Sequence, residues 1–178
     1  MTLNEVMTQT ADAIREKTGK SEKIAPINFA EEIKSISAGG GESKYTYYRY
    51  DRDNALAIWG DNNTEFTLLL YANMMGGLDI TGISTSGKLT AFAEAMYQVM
   101  QDAAQGSNTR IPLSYYATKP NTIMGKHDPL LAGQVTNIHD FIRLIGKEML
   151  QWTEEQINAA VALFTEISEE EFFAAITK

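Results

Sequence analysis

The chain of 178 residues contains no cysteine, which excludes a disulfide framework, a thiolate nucleophile and every Cys-ligated zinc or iron–sulfur centre. Histidine is nearly missing too, with only His127 and His139, so a transition-metal site would need carboxylates to complete it. No apolar run approaches the roughly 20 residues that a bilayer-spanning helix requires, and membrane insertion is not expected. The opening Met1-Thr2-Leu3-Asn4-Glu5 has neither a basic nor an apolar leader segment, so no signal peptide is expected. Positive charge is in deficit, 15 Lys and Arg against 23 Asp and Glu, for a net charge of -8. Phosphate neutralisation supplies most nucleic-acid affinity, so nucleic acid and anionic membrane surfaces are not expected partners. A Gly-x-Ser-x-Gly nucleophile elbow is also lacking.

What is present suits a packed globular chain, 44% hydrophobic and 21% charged. From Leu3 to about Thr18, apolar residues at Leu3, Val6, Met7, Ala13 and Ile14 fall at helical spacings, and Gly19 stands where a C-cap belongs. Ile24 and Ile27 flank Pro26, and Asn28 with Glu31 reads as the start of a second short helix over 29–37. Two such helices form a hairpin with too little of its own to bury. Gly39-Gly40-Gly41-Glu42-Ser43 then reads as a joint. The expected organisation is a helical module over 1–38, a glycine-rich linker over 39–44 and an α+β domain over 45–178, mainly helical from 136 to 178.

Within that domain the spacing predicts a small antiparallel sheet with packed helices. Tyr45 to Tyr50 is aromatic and β-favouring. Ala55 to Trp59 and Glu65 to Tyr71, separated by Gly60-Asp61-Asn62-Asn63, predict a β-hairpin. Gly76, Gly77 and Gly82 mark a loop, a helix is expected from about Lys88 to Ala104, and a strand from Arg110 to Ala117. Residues 119–135 read as irregular. Thr136 or Asn137 caps a helix through Ile138, Phe141, Ile142, Ile145 and Met149, Thr153 with Gln156 starts one through Ile157, Val161 and Phe164, and Ser168 with Glu171 starts a last short one.

No constellation carries strong chemistry. His127-Asp128 lies in a loop without a third ligand nearby, and His139 sits on a helix's first turn as a surface or half-buried residue. Asp51, Asp53 and Asn54, like Asp61, Asn62 and Asn63, lack the spacing of a calcium loop and read as turn chemistry. Gly82 to Lys88 has the glycine spacing of a phosphate loop, yet Leu89 stands where the hydroxyl belongs, leaving only anion contact at a helix N-terminus. Glu154-Glu155 and Glu169-Glu170-Glu171 are accounted for by first helical turns. No catalytic residue, metal or cofactor is expected. The aromatic residues are more informative. Strand alternation sends Tyr45 and Tyr47 to one face and Tyr48 and Tyr50 to the other. Together with Tyr115 and Tyr116 they pack a core or subunit contact, or offer a surface to a sugar or protein.

The segment Ala11-Asp12-Ala13-Ile14-Arg15, Lys17-Thr18-Gly19, then Ile24, Pro26, Phe29 and Ile33 resembles the N-terminal helical module of many tail, fibre and other virion proteins of phages and prophages. The likeness covers about the first 38 residues. It implies an attachment or oligomerisation element, for which Leu3, Val6, Met7, Ile14, Ile24, Phe29, Ile33 and Ile36 are the expected anchor residues. The function expected from it is that of a phage virion structural protein of the tail, baseplate or head-fibre type. Such a protein is assembled in the host cytoplasm, is homo-oligomeric, and is held by other virion proteins. The alternatives are a module binding a host-surface glycan or receptor, and a small carboxylate-dependent hydrolase.

Overall fold

The computed structural model describes residues 2–18, 25, 44–107, 110–121, 131 and 134–177. The chain divides into two units, Met1–Lys44 and Tyr45–Lys178. In the first, helix α1 (Leu3–Thr18) opens on a reciprocal cap. The Thr2 amide donates to the Glu5 carboxylate at 2.6 Å, and the Glu5 amide donates to the Thr2 hydroxyl at 3.3 Å. Arg15 pairs with Asp12 one turn away. Ala11 and Ile14, three apart, are buried, so Ile14 is already covered by its own polypeptide. The predicted second helix, the glycines at 39–41, and anchor positions Ile24, Phe29, Ile33 and Ile36 lie outside the described residues, as do the side chains of Leu3, Val6 and Met7.

The second unit is α+β. Its order is β1 (Thr46–Tyr50), α2 (Arg52–Trp59), α3 (Asn62–Met74), β2 (Leu78–Ser84), β3 (Leu89–Ala91), α4 (Phe92–Ala104), β4 (Leu113–Pro120), α5 (Ile138–Glu148), α6 (Glu154–Ala162), β5 (Phe164–Ile167) and α7 (Glu169–Ala174). The five strands form one antiparallel sheet in the order β3-β2-β4-β1-β5. One face carries the main core, where Tyr48, Tyr50, Leu78, Ile80, Leu113 and Tyr116 meet residues of α2 to α6. The outer face carries a small separate cluster of Tyr47, Ile83, Ala117 and Phe172. Among the described residues no helix is long and apolar enough to cross a membrane.

The predicted β-hairpin over 55–71 is instead the helix pair α2 and α3. Asp51 and Asp61 are N-caps, their carboxylates accepting from the amides of Asn54 at 3.2 Å and Thr64 at 2.6 Å. Gly60 ends α2 at φ +84°. Asp and Gly serve helix ends as readily as hairpin turns, and here the burial period decides. Ala55 and Trp59 point inward from α2, and Glu65, Leu69 and Ala72 from α3, at spacings of three and four.

Three further boundaries differ. Gly82 lies inside β2, not in a loop, paired with Thr90 and Tyr116. A Cβ there would meet the Tyr115 carbonyl oxygen at 2.3 Å, so glycine marks close backbone approach. Leu89–Ala91 is strand and the helix begins at Phe92, because a tight turn returns the chain along β2, the Ser84 amide donating to the Lys88 carbonyl at 2.8 Å. The phosphate-like stretch 82–88 therefore opens no helix. The strand expected from Arg110 starts at Leu113 and reaches Pro120, with Ser114 bulged out between the pairs Ile83–Tyr115 and Ser84–Leu113.

Phe164 is not helical. Helix α6 ends at Ala162 and Phe164–Ile167 fills the edge beside β1, so the segment from 136 carries a strand. By contrast, Asn137 caps α5 through the Asp140 amide, Thr153 and Gln156 form a full capping box, and Ser168 caps α7. Replacing Gly82 with Ala is expected to cost about 2 kcal/mol or more, since neither paired strand can yield to the added methyl. A urea unfolding midpoint unchanged by Gly82→Ala would contradict the close approach.

Candidate functional site

Among the described residues Glu65 is the one buried acidic side chain, only 1% exposed. The Asp61 cap sets the first turn of α3, and that turn aims Glu65 inward at the end of β1. A lone carboxylate there would be costly, and its neighbours compensate it. The Tyr50 hydroxyl donates to Glu65 Oε1 at 2.8 Å, and Trp59 Nε1 donates to the Tyr50 oxygen at 2.7 Å. Arg110 donates from Nε to Oε2 at 3.1 Å and from Nη2 to Oε1 at 3.2 Å, a two-pronged pairing of planar groups. A third nitrogen, Nη1, donates to the Arg52 carbonyl at 2.5 Å. The Arg52 guanidinium donates onward to the carbonyls of Ile111 and Leu113. Burial works against the Arg110 charge, but the Glu65 carboxylate outweighs it and holds the guanidinium above its usual value.

Burial raises the phenols of five tyrosines, three on the core face and two on the outer face. Burial, then the nearby Tyr116 and Glu65, push Tyr50 far above the ordinary phenol range. Tyr116 is fully buried, its hydroxyl has no hydrogen-bond partner, and burial raises it strongly. Burial also raises Tyr48, whose ring packs against His139 at 4.7 Å. On the outer face, burial and then the hydrogen bond to Glu169 push Tyr47 up to about 12. Tyr45, raised by burial and Asp79, donates to the Asp79 carboxylate at 3.2 Å with Lys119 Nζ over its ring.

The six candidate surface tyrosines are thus divided. Tyr48, Tyr50 and Tyr116 are core residues, closed to any ligand by the helices above them. Tyr47 is buried under Phe172, and Tyr45 and Tyr115 remain half-buried on the outer face. Neighbouring strands place Tyr45, Lys119 and Asp79 side by side. Among the described residues the hydrogen-bond partner of His139 is a carbonyl, not an acid. Its Nε2 lies 2.6 Å from the Phe164 carbonyl, tying α5 to β5. His127 and Asp128 lie outside the described residues. Among the described residues no group of three or more His, Asp or Glu is placed to hold a metal. A groove of about 190 Å³ between α3 and α4 is lined by Asn62, Asn63, Phe66, Val99, Met100, Ala103 and Ser107, none of which titrates.

The Glu65–Arg110 network was not found by sequence reasoning. The sequence spacing predicts a strand beginning at Glu65, and Arg110 lies 45 positions away. The only signal was Asp61-x-x-x-Glu65, a cap followed one turn later by an acid on an otherwise apolar face. Comparison of the chain with family models, curated proteins and solved structures returned no match in any of the three.

Breaking the buried pair with Glu65→Ala is expected to cost about 3–5 kcal/mol, because Arg110 is left uncompensated. The Glu65→Ala/Arg110→Ala double variant should cost less than the sum of the single changes. Additive losses in a urea double-mutant cycle would refute the coupling. Raised phenol values stabilise the fold while the hydroxyls stay protonated, so that contribution is complete below the usual value of about 10 and lost as pH rises past it. For Tyr47 alone the loss on reaching about pH 12 is roughly 2 kcal/mol. The urea midpoint should therefore fall steeply above about pH 10, whereas a midpoint level to pH 12 would contradict the burial of these rings.

Proposed function

We propose that the chain is a phage virion structural protein of the tail, baseplate or head-fibre type, attached to the particle through its N-terminal helical unit. The observation that carries this reading is the division between Lys44 and Tyr45, which leaves α1 outside the unit that holds the main core. The resemblance of residues 1–38 to virion attachment modules agrees with it. In the second unit the buried acid and its two arginines are spent on hydrogen bonds to the protein itself, which suits a packing role better than a reacting one. Other virion proteins and further copies of the chain are its partners, and the virion is its location.

Ile14, one of the expected anchor residues, is only 3% exposed. A second reading, recognition of a host-surface glycan or receptor, is favoured by one observation. Tyr45 and Tyr115 keep exposed ring area on the outer face beside Asp79, Lys119 and Arg49. Polar and aromatic groups mixed in this way suit a sugar.

Supplying the full chain or residues 45–178 alone during assembly of the encoding phage separates the attachment reading from its rivals. The full chain is expected to sediment with purified particles and the shortened one to stay in the supernatant. Equal incorporation of both would overturn attachment through the first unit.

A further inference from the structure

The last ten described residues cross the outer face of the sheet from β5 to the β2–β3 turn. They leave β5 at one edge, pass Phe172 over β1, β4 and β2, and reach the turn where the Thr177 amide donates to the Gly87 carbonyl at 2.8 Å. Gly87 has φ +79°, and a Cβ there would overlap the Thr177 side chain, so glycine leaves the turn open to Thr177.

Very little holds this crossing down. Phe172 is its one fully buried side chain, while Phe173 and Ala174 face outward and Ala175 and Ile176 are half-buried. The Tyr47 hydroxyl donates to Glu169 at 2.8 Å, and Arg49 meets Glu171 at 3.4 Å with both groups about half exposed, where an ion pair is worth little. Six residues of helix have no stability of their own. Once Phe172 leaves its seat against Tyr47, Ile83 and Ala117, only polar contacts and the edge-on contact of Phe173 with Tyr47 remain to hold α7. None of Phe172, Tyr47, Ile83 and Ala117 belongs to the main core, which lies on the sheet's opposite face.

We propose that residues 168–177 form a latch that opens as one unit, uncovering Tyr47, Ile83 and Ala117 while the sheet and the main core stay folded. Its independence follows from the separation of the two apolar clusters by the sheet, and its all-or-none character from the dependence of α7 on a single seated ring. The device does not depend on the virion reading. It would operate whatever the N-terminal unit attaches to.

Native-state hydrogen exchange on the full chain tests it. The amides of Phe172, Ala175, Ile176 and Thr177, bonded to the carbonyls of Ser168, Phe172, Phe173 and Gly87, should share one protection factor. It should lie about 100-fold or more below that of the slowest amides in β1 and β4, with a weaker denaturant dependence. In Phe172→Ala the four should exchange like an unstructured peptide while β1 and β4 stay protected. The proposal is overturned if the four amides exchange with the protection and denaturant slope of the sheet, or show no protection in the unmodified chain. It is equally overturned if Phe172→Ala unfolds the domain.

Discussion

A carboxylate buried among aromatic rings is tolerated only where the surrounding chain surrounds it with donors, and Glu65 imposes that requirement on much of the second unit. Its two oxygens draw in Tyr50 from the end of β1 and Arg110 from the approach to β4. Tyr50 in turn is held by Trp59 at the end of α2. Arg110 reaches back to the Arg52 carbonyl, and Arg52 reaches forward to the carbonyls of Ile111 and Leu113. The irregular segment leading into β4 is therefore held by charged hydrogen bonds where it has no ladder of its own. With that segment placed, β4 can sit between β1 and β2 and close the sheet.

The sheet then divides the unit into two environments of unequal strength. On one side five helices bury a continuous apolar cluster that includes Tyr48, Tyr50, Tyr116 and Phe164, rings packed mostly at steep angles. On the other, a six-residue helix seats its own Phe172 over three buried side chains, Tyr47, Ile83 and Ala117. The functional consequence is spatial. Half-exposed Tyr45 and Tyr115 and their charged neighbours lie on the outer face, away from the buried acid, whereas Tyr97 is exposed on α4. Recognition built on Tyr45 and Tyr115 would use the outer face, while attachment, on the reading favoured above, belongs to residues before Tyr45.

Legibility in the sequence followed the range of the interaction. Caps were readable because donor and acceptor are three residues apart. Asn137, the Thr153–Gln156 box and Ser168 all stand at helix starts in the structure. The same local signal misleads at Asp61, where a glycine and two asparagines beside it also describe a hairpin turn between two apolar runs. Only the period of burial on α3, with Glu65, Leu69 and Ala72 inward, separates the two. Phe164 continued the apolar spacing of α6, and nothing nearby announced that β1 had an open edge for it. Alternation along β1 placed Tyr45 and Tyr47 opposite Tyr48 and Tyr50, but not which side would be covered by five helices.

The residues alone determined the mixed α+β class, most helix starts, the two-sided tyrosine strand and the acidic, cysteine-free chemistry. Each follows from groups within a turn or a strand of one another. Tertiary structure decided which turn residues cap helices, which strand edges are filled, which tyrosines are sealed in, and that Glu65 belongs inside. Those outcomes rest on contacts such as Glu65 with Arg110 and Gly87 with Thr177, between residues far apart in the chain. Their energies arise only when folding removes water from both partners at once.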